Sequence, residues 1–219
     1  GNTFQEQGKL NNALEAYAKA LSINPDYTDA AQNYFCLETQ LQDNTLIKET
    51  LSNILIGSNS KLDDMPKFRI YKAIYSYLNG DQELVKKHIK KFNDCDPKLF
   101  SVLENEDKIF CSAYSNFLGK LNNKILSKIT FKSNYAHTYY IGESHCLSFA
   151  HHFIKMKNTD TLIIPQITFG AKAYHFSAEK EDAYKAITKA NFTSLPDSSK
   201  VFISFGEIDC RPNEGIISA

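Results

Sequence analysis

Thr138-Tyr139-Tyr140-Ile141-Gly142-Glu143-Ser144-His145, continuing into Cys146-Leu147-Ser148-Phe149-Ala150-His151-His152-Phe153-Ile154, is the stretch whose reading decides the fold. The aromatic and β-branched run 138–141 predicts a strand, and Gly142-Glu143-Ser144 a tight turn. The apolar spacing over about 146–157 predicts an amphipathic helix. Such a strand–turn–helix presents a serine hydroxyl at the carboxyl end of a strand. The first N–H groups of the helix would face that hydroxyl, where acyl chemistry develops negative charge. The alternative is that Gly142 only permits a turn and Ser144 only caps a helix.

Further along, strand and helix keep alternating: a strand at about 161–164, a helix at about 179–191 and a strand at 200–205. Alternation of this kind argues for a parallel sheet covered on both faces, with ligands at the carboxyl ends of its strands. Three turns fall on that edge. They are Gly142-Glu143-Ser144-His145, Thr168-Phe169-Gly170 and Gly206-Glu207-Ile208-Asp209-Cys210-Arg211. Their convergence is the reason to place a site there. Glu207, Asp209 and Arg211 can equally form an ion network that orders their own turn.

From Thr138 onward the chain resembles the front of the SGNH (GDSL-type) hydrolase domain, a flavodoxin-like α/β/α fold. That family comprises esterases, lipases and acyl-transfer enzymes acting on lipids and carbohydrates without a metal. Its Gly-Asp-Ser turn corresponds to Gly142-Glu143-Ser144, which assigns the nucleophile to Ser144. The resemblance implies that the Gly170 N–H lies in the oxyanion hole, and that the strand order is 2-1-3 with the Ser144 strand central. The family's Gly-x-Asn-Asp block reads Gly206-Glu207-Ile208-Asp209 here. Ile208 has no side-chain donor, and one missing oxyanion donor typically costs ~100–1,000-fold in rate. Asp209 keeps the block's last position, and Arg211 offers a substitute cation. The Asp-x-x-His element that carries the family's base has no counterpart before Ala219, and without a base serine is a weak nucleophile. The sequence therefore predicts no measurable hydrolysis of short-chain acyl esters by these residues.

Other groups near Ser144 have plain readings beside the functional ones. His145 is adjacent to the hydroxyl, and a neighbouring residue tends to point away from it. His151 and His152 fall on the expected helix, and His175 follows the Gly170 turn. Cys146 at a helix start could be a thiol nucleophile or a small buried apolar residue. A metal site drawn from His145, His151, His152, Glu207 and Asp209 lacks the H-x₃-H or H-E-x-x-H spacing that would support it.

The first half of the chain reads differently. Leu10, Ala13, Leu14, Tyr17, Ala20 and Leu21 recur at helical spacing after Gly8, and Pro25 closes the unit. Small residues at Gly1, Gly8, Ala13 and Ala20 with Tyr17 and Pro25 resemble the tetratricopeptide repeat, lacking about seven residues of its first helix. Gly80 and Pro97 repeat the Gly8–Pro25 spacing, with Val85, Ile89 and Phe92 at the positions of Ala13, Tyr17 and Ala20. Gly119-Lys120-Leu121-Asn122-Asn123 repeats Gly8-Lys9-Leu10-Asn11-Asn12. Residues 1 to about 128 therefore read as stacked helical hairpins, Gly8 turning the first, with loops around Ser58-Asn59-Ser60 and Asp63-Asp64-Met65-Pro66. The resemblance implies a groove for a protein or peptide, with Asn2, Gln5 and Glu6 as contact positions or plain solvent-exposed ones. The basic run 86–91 reads as the solvated face of a helix that turns Leu84, Ile89 and Phe92 inward.

Composition sets the limits. A chain of 219 residues can bury a real core in one or two domains. Its formal net charge of zero gives no bulk attraction to nucleic acid or acidic lipid. The five scattered cysteines fit a reducing, cytoplasmic setting. No apolar run reaches the ~20 residues of a membrane span. The reading is thus α plus α/β: a tetratricopeptide-like array over 1–128, then part of a flavodoxin-like sheet domain over 129–219, with no cofactor. Its function is acyl-ester hydrolysis or transfer, on an acyl-ester or carbohydrate substrate, with the repeats docking a partner. The competing function is a non-catalytic scaffold carried by the repeats.

Overall fold

The computed structural model describes residues 1–41, 64–125, 135–177 and 179–210. Ser58-Asn59-Ser60, Asp63, the β-prone 129–131, the loop 132–134 and Arg211 lie outside these described residues. Among the described residues seven helices come first: α1 (Asn2–Glu6), α2 (Leu10–Ile23), α3 (Thr28–Gln40), α4 (Pro66–Leu78), α5 (Gln82–Asn93), α6 (Pro97–Ser101) and α7 (Asn105–Ile125). Strands β1 (Ala136–Gly142), β2 (Phe153–Met156) and β3 (Thr159–Ile167), helix α8 (Ala183–Thr193) and strand β4 (Lys200–Ser204) follow. Among the described residues there is no strand before residue 136, as the helical reading of the first half requires.

The chain divides into two compact units. One comprises Gly1–Leu14, Gln40–Asp43 and Phe131–Ala219, the other Glu15–Thr39 and Asn44–Thr130. Residues before 128 contribute to both units.

In the helical unit, α4 and α5 form a hairpin that packs on α7. Pro66 opens α4 at a position where its missing N–H costs nothing, and the Asp81 carboxylate caps α5 by accepting from Leu84 N at 3.0 Å. Gly80 turns the hairpin at φ +73°, and Gly8 turns between α1 and α2 at φ +71°, so the two glycines matched by spacing share one left-handed conformation. Tyr34, Phe68, Ile70, Ile74 and Tyr77 are buried, with the Phe35 and Phe68 rings 4.8 Å apart.

Two details of the helical reading change. Gly119 lies inside α7, so the pentapeptide that turns at Gly8-Lys9 before opening α2 is helical throughout at 119–123. Leu84 is exposed and Val85 takes the inward position, with Ile89 and Phe92 half-buried. Ala13 is buried, whereas Ala20 is half-buried.

Among the described residues the sheet has four strands, in the order β2-β3-β1-β4. β3 and β4 flank β1, both parallel to it, while β2 joins the outer edge of β3 antiparallel. The Ser144 strand is therefore central among the three parallel strands.

The helix expected over 146–157 is absent. A short 3₁₀ turn, Ser144–Ser148, is followed by β2 and a two-residue hairpin at Lys157-Asn158, both with positive φ. That backbone matches the twist of the flanking strands, and Phe153–Met156 pairs with Thr159–Leu162 across it. His151, at φ 61°, interrupts helical geometry between the 3₁₀ turn and β2. β2 ends its pairing at Leu162, so Pro165 lies beyond it, where a missing N–H breaks no ladder bond on the β2 side.

α8 begins at Ala183, behind Asp182, whose carboxylate accepts from Lys185 N at 2.9 Å. Ile141, Leu162, Ile163, Ile167 and Ile187 form the core of this unit with Leu147.

Candidate functional site at the carboxyl edge of the sheet

The parallel register puts Gly142 opposite Ile167 on one side and Ser204 on the other, so three strands end level. Two hydrogen-bonded links and one close approach bring the turns that follow together. Thr168 N donates to Gly142 O at 2.8 Å, joining the second turn to the first. The Asp209 carboxylate accepts from Ala173 N at 2.7 Å and Tyr174 N at 3.3 Å, joining the third to the second. His145 Nδ1 lies 3.8 Å from Glu207 Oε2, which puts the first turn beside the third. The three turns named by sequence thus share one edge.

Gly142 is fixed by close approach. A Cβ built there would sit 2.7 Å from the carbonyl oxygen of Ser204, a backbone atom of β4. Only glycine lets the chain leave β1 at this point without displacing its neighbour.

Glu143 is the centre of the first turn. Its side chain is 1% exposed, and one oxygen, Oε2, receives the backbone N–H of His145 at 2.8 Å, His145 Nδ1 at 2.7 Å and the Ser144 hydroxyl at 3.3 Å. The backbone N–H and the hydroxyl both point at this oxygen, so it acts as an acceptor. The imidazole therefore donates from Nδ1, which leaves Nε2 as the ring's other face. Ser144 is half-buried and His145 exposed. A half-buried hydroxyl, a buried carboxylate and an imidazole are thus gathered within three consecutive residues.

The second turn is braced from several directions. Gln40 Oε1 accepts from Phe169 N at 2.7 Å, the Thr168 and Thr188 hydroxyls meet at 3.0 Å, and Asn191 Nδ2 donates to Ile167 O at 3.2 Å. Gly170 follows, exposed, with φ +69°. His175 Nδ1 accepts from Lys172 N at 2.9 Å, so this ring is held neutral at Nδ1, and it stacks on Tyr184 at 4.0 Å. Burial lowers its pKa against the opposing pull of Asp182. His175 thus braces the second turn through its own backbone.

The remaining sequence candidates divide clearly. Asp209 is 5% exposed and both its oxygens are engaged by backbone N–H groups, so its carboxylate orders the turn. Ile208 is buried beside it. Cys146 is buried, and burial followed by the nearby Glu143 charge pushes its thiol well up, which makes it a core residue. His151 is buried and His152 is exposed, with Nδ1 3.1 Å from Ala150 O. Both lie in the link between the 3₁₀ turn and β2 and not on a helix. In α1, Asn2 and Glu6 are exposed and Gln5 half-buried.

Glu143 is the participant that residue-by-residue reading missed. The only available signal was its place between Gly142 and Ser144, which tells nothing of whether the side chain turns inward. Among the described residues, no group of three His, Cys, Asp or Glu side chains is arranged to hold a metal ion. No helix among them is long and apolar enough to cross a membrane. No protein-family model matches the chain, and neither a curated protein nor a solved structure shows significant similarity to it.

Proposed function

We propose that the carboxyl edge of this sheet is a serine-centred site for acyl-ester hydrolysis or transfer, with Ser144 as nucleophile and the tetratricopeptide-like repeats docking a protein or peptide partner. One observation carries the reading. Ser144 stands half-buried in the turn after the central parallel strand, its hydroxyl donating to a carboxylate shielded from water. Acyl transfer needs a hydroxyl in this position, a proton acceptor beside it and donors for the oxyanion. The exposed Gly170 turn, linked to Gly142 through Thr168, is the candidate source of one donor.

Trapping tests this directly. Incubation with an activated p-nitrophenyl acyl ester, followed by acid quench, should yield an acyl adduct on the Ser144 peptide that is absent from Ser144→Ala.

A second reading, a scaffold with a silent sheet domain, draws on Ile208 and Asp209. The first is buried and apolar, the second is engaged by the backbone of Ala173 and Tyr174, so neither offers an oxyanion donor. Complete absence of the adduct favours this scaffold reading.

A further inference from the structure

We infer that Glu143 is the general base for Ser144, so that nucleophile and base come from adjacent residues of one turn. The inference rests on the serine reading above.

Three observations lead to it. The Ser144 hydroxyl already donates to Glu143 Oε2, at 3.3 Å, a separation of the kind that tightens when substrate excludes water. The carboxylate is 1% exposed, so bulk water does not compete for that hydrogen bond. Its orientation is locked by two N–H donors from His145, at 2.8 and 2.7 Å, which hold Oε2 in place beside the hydroxyl. His145 is a positioning residue in this arrangement. It sits between Glu143 and Glu207, the latter's Oε2 being 3.8 Å from Nδ1.

The chemistry balances within the turn and the substrate. As the Ser144 Oγ–carbon bond forms, the Oγ–H proton passes to Glu143 Oε2 and the carbonyl π pair moves onto the substrate oxygen. Collapse of that oxyanion breaks the ester carbon–oxygen bond. The leaving oxygen takes the proton from the Glu143 carboxyl, giving acyl-Ser144 and an alcohol. Water or an acceptor hydroxyl then reverses the sequence, its proton passing to the same carboxylate.

A capping role alone would account for the bonds to His145, so the test must separate capping from basicity. Glu143→Gln does this. Its amide oxygen can still accept from the His145 backbone, but it cannot take up a proton. The probe is a fluorophosphonate, which forms an Oγ–P bond and expels fluoride. The rate of labelling at Ser144 is followed across pH for the wild-type chain and for Glu143→Gln.

The expected result is labelling at least ~100-fold slower in Glu143→Gln, with the acid limb of the wild-type pH profile flattened. The wild-type chain alone gives a second reading that needs no variant, namely slower labelling in D₂O than in H₂O. Labelling of Glu143→Gln within about threefold of wild type, or a wild-type rate equal in the two solvents, overturns this inference and leaves Ser144 as nucleophile. A wild-type chain that is not labelled at Ser144 overturns the serine reading, and this inference with it.

Discussion

Replacing Gly142 by alanine adds one methyl group at the point where β1 passes closest to β4. The new Cβ would lie 2.7 Å from the Ser204 carbonyl oxygen, inside any tolerated contact between carbon and oxygen. That oxygen belongs to the backbone of a paired strand and cannot swing aside as a side-chain end can. Gly142 has no positive φ, so the cost is steric alone. Overpacking of this kind costs about 1–3 kcal/mol, and for a chain of this size each kcal/mol lowers Tm by roughly 2–4 °C. Gly119→Ala is the matched control. That glycine lies inside α7 with nothing within 4 Å of a built Cβ, so the same substitution should stabilise by about 0.5–1 kcal/mol. Thermal and urea unfolding of both variants measures the two shifts. Opposite signs are expected. A Gly142→Ala protein as stable as wild type would show that β4 does not approach β1 as described, and the level ending of the three strands would go with it.

Asp209→Ala should cost about 1–3 kcal/mol, because it strands two backbone donors. Hydrogen exchange at the Ala173 and Tyr174 amides should speed up in this variant, and unchanged protection there would rule out the clamp. Asp81→Ala removes the cap of α5 and should cost about 0.5–2 kcal/mol by chemical unfolding, whereas Asp81→Asn should cost less. His175 has its pKa lowered in the fold by burial, so the unfolded chain binds its proton more readily. Its contribution to stability is complete above about pH 6.5 and is lost as pH falls through the window below that value. His175→Asn should flatten this part of the stability–pH curve, and an unchanged curve would place the titration elsewhere. In the native protein a thiol reagent should modify exposed Cys210 quickly and leave buried Cys146 intact until unfolding.

Local sequence reported the parallel core of the sheet well. β1, β3 and β4 are dense in β-branched and aromatic residues and end in glycine-bearing turns, so their existence and shared edge follow from pattern alone. β2 was hidden because Leu147, Ala150 and Ile154 suit a helical stripe as readily as a 3₁₀ turn followed by a strand. The discriminating residues were Lys157 and Asn158, a pair able to take positive φ between two apolar runs. Gly8 and Gly119 show the reverse limit. The same five residues break the helix at Gly8-Lys9 in one place and run helical throughout in the other, because the surrounding chain and not the pentapeptide decides. The brace from Gln40 to Phe169 spans 129 positions and has no local signature. The inward turn of Glu143 depends on the 3₁₀ geometry after Gly142, which no propensity scale encodes.

The most direct measurement of the central claim is site mapping after treatment of the wild-type chain with a fluorophosphonate at neutral pH. Intact mass and peptide mapping should show a single adduct, on the peptide containing Ser144, and none after unfolding in urea before treatment. No adduct on the folded chain, or an adduct on another serine while Ser144 stays unmodified, would contradict a nucleophile at the end of the central strand.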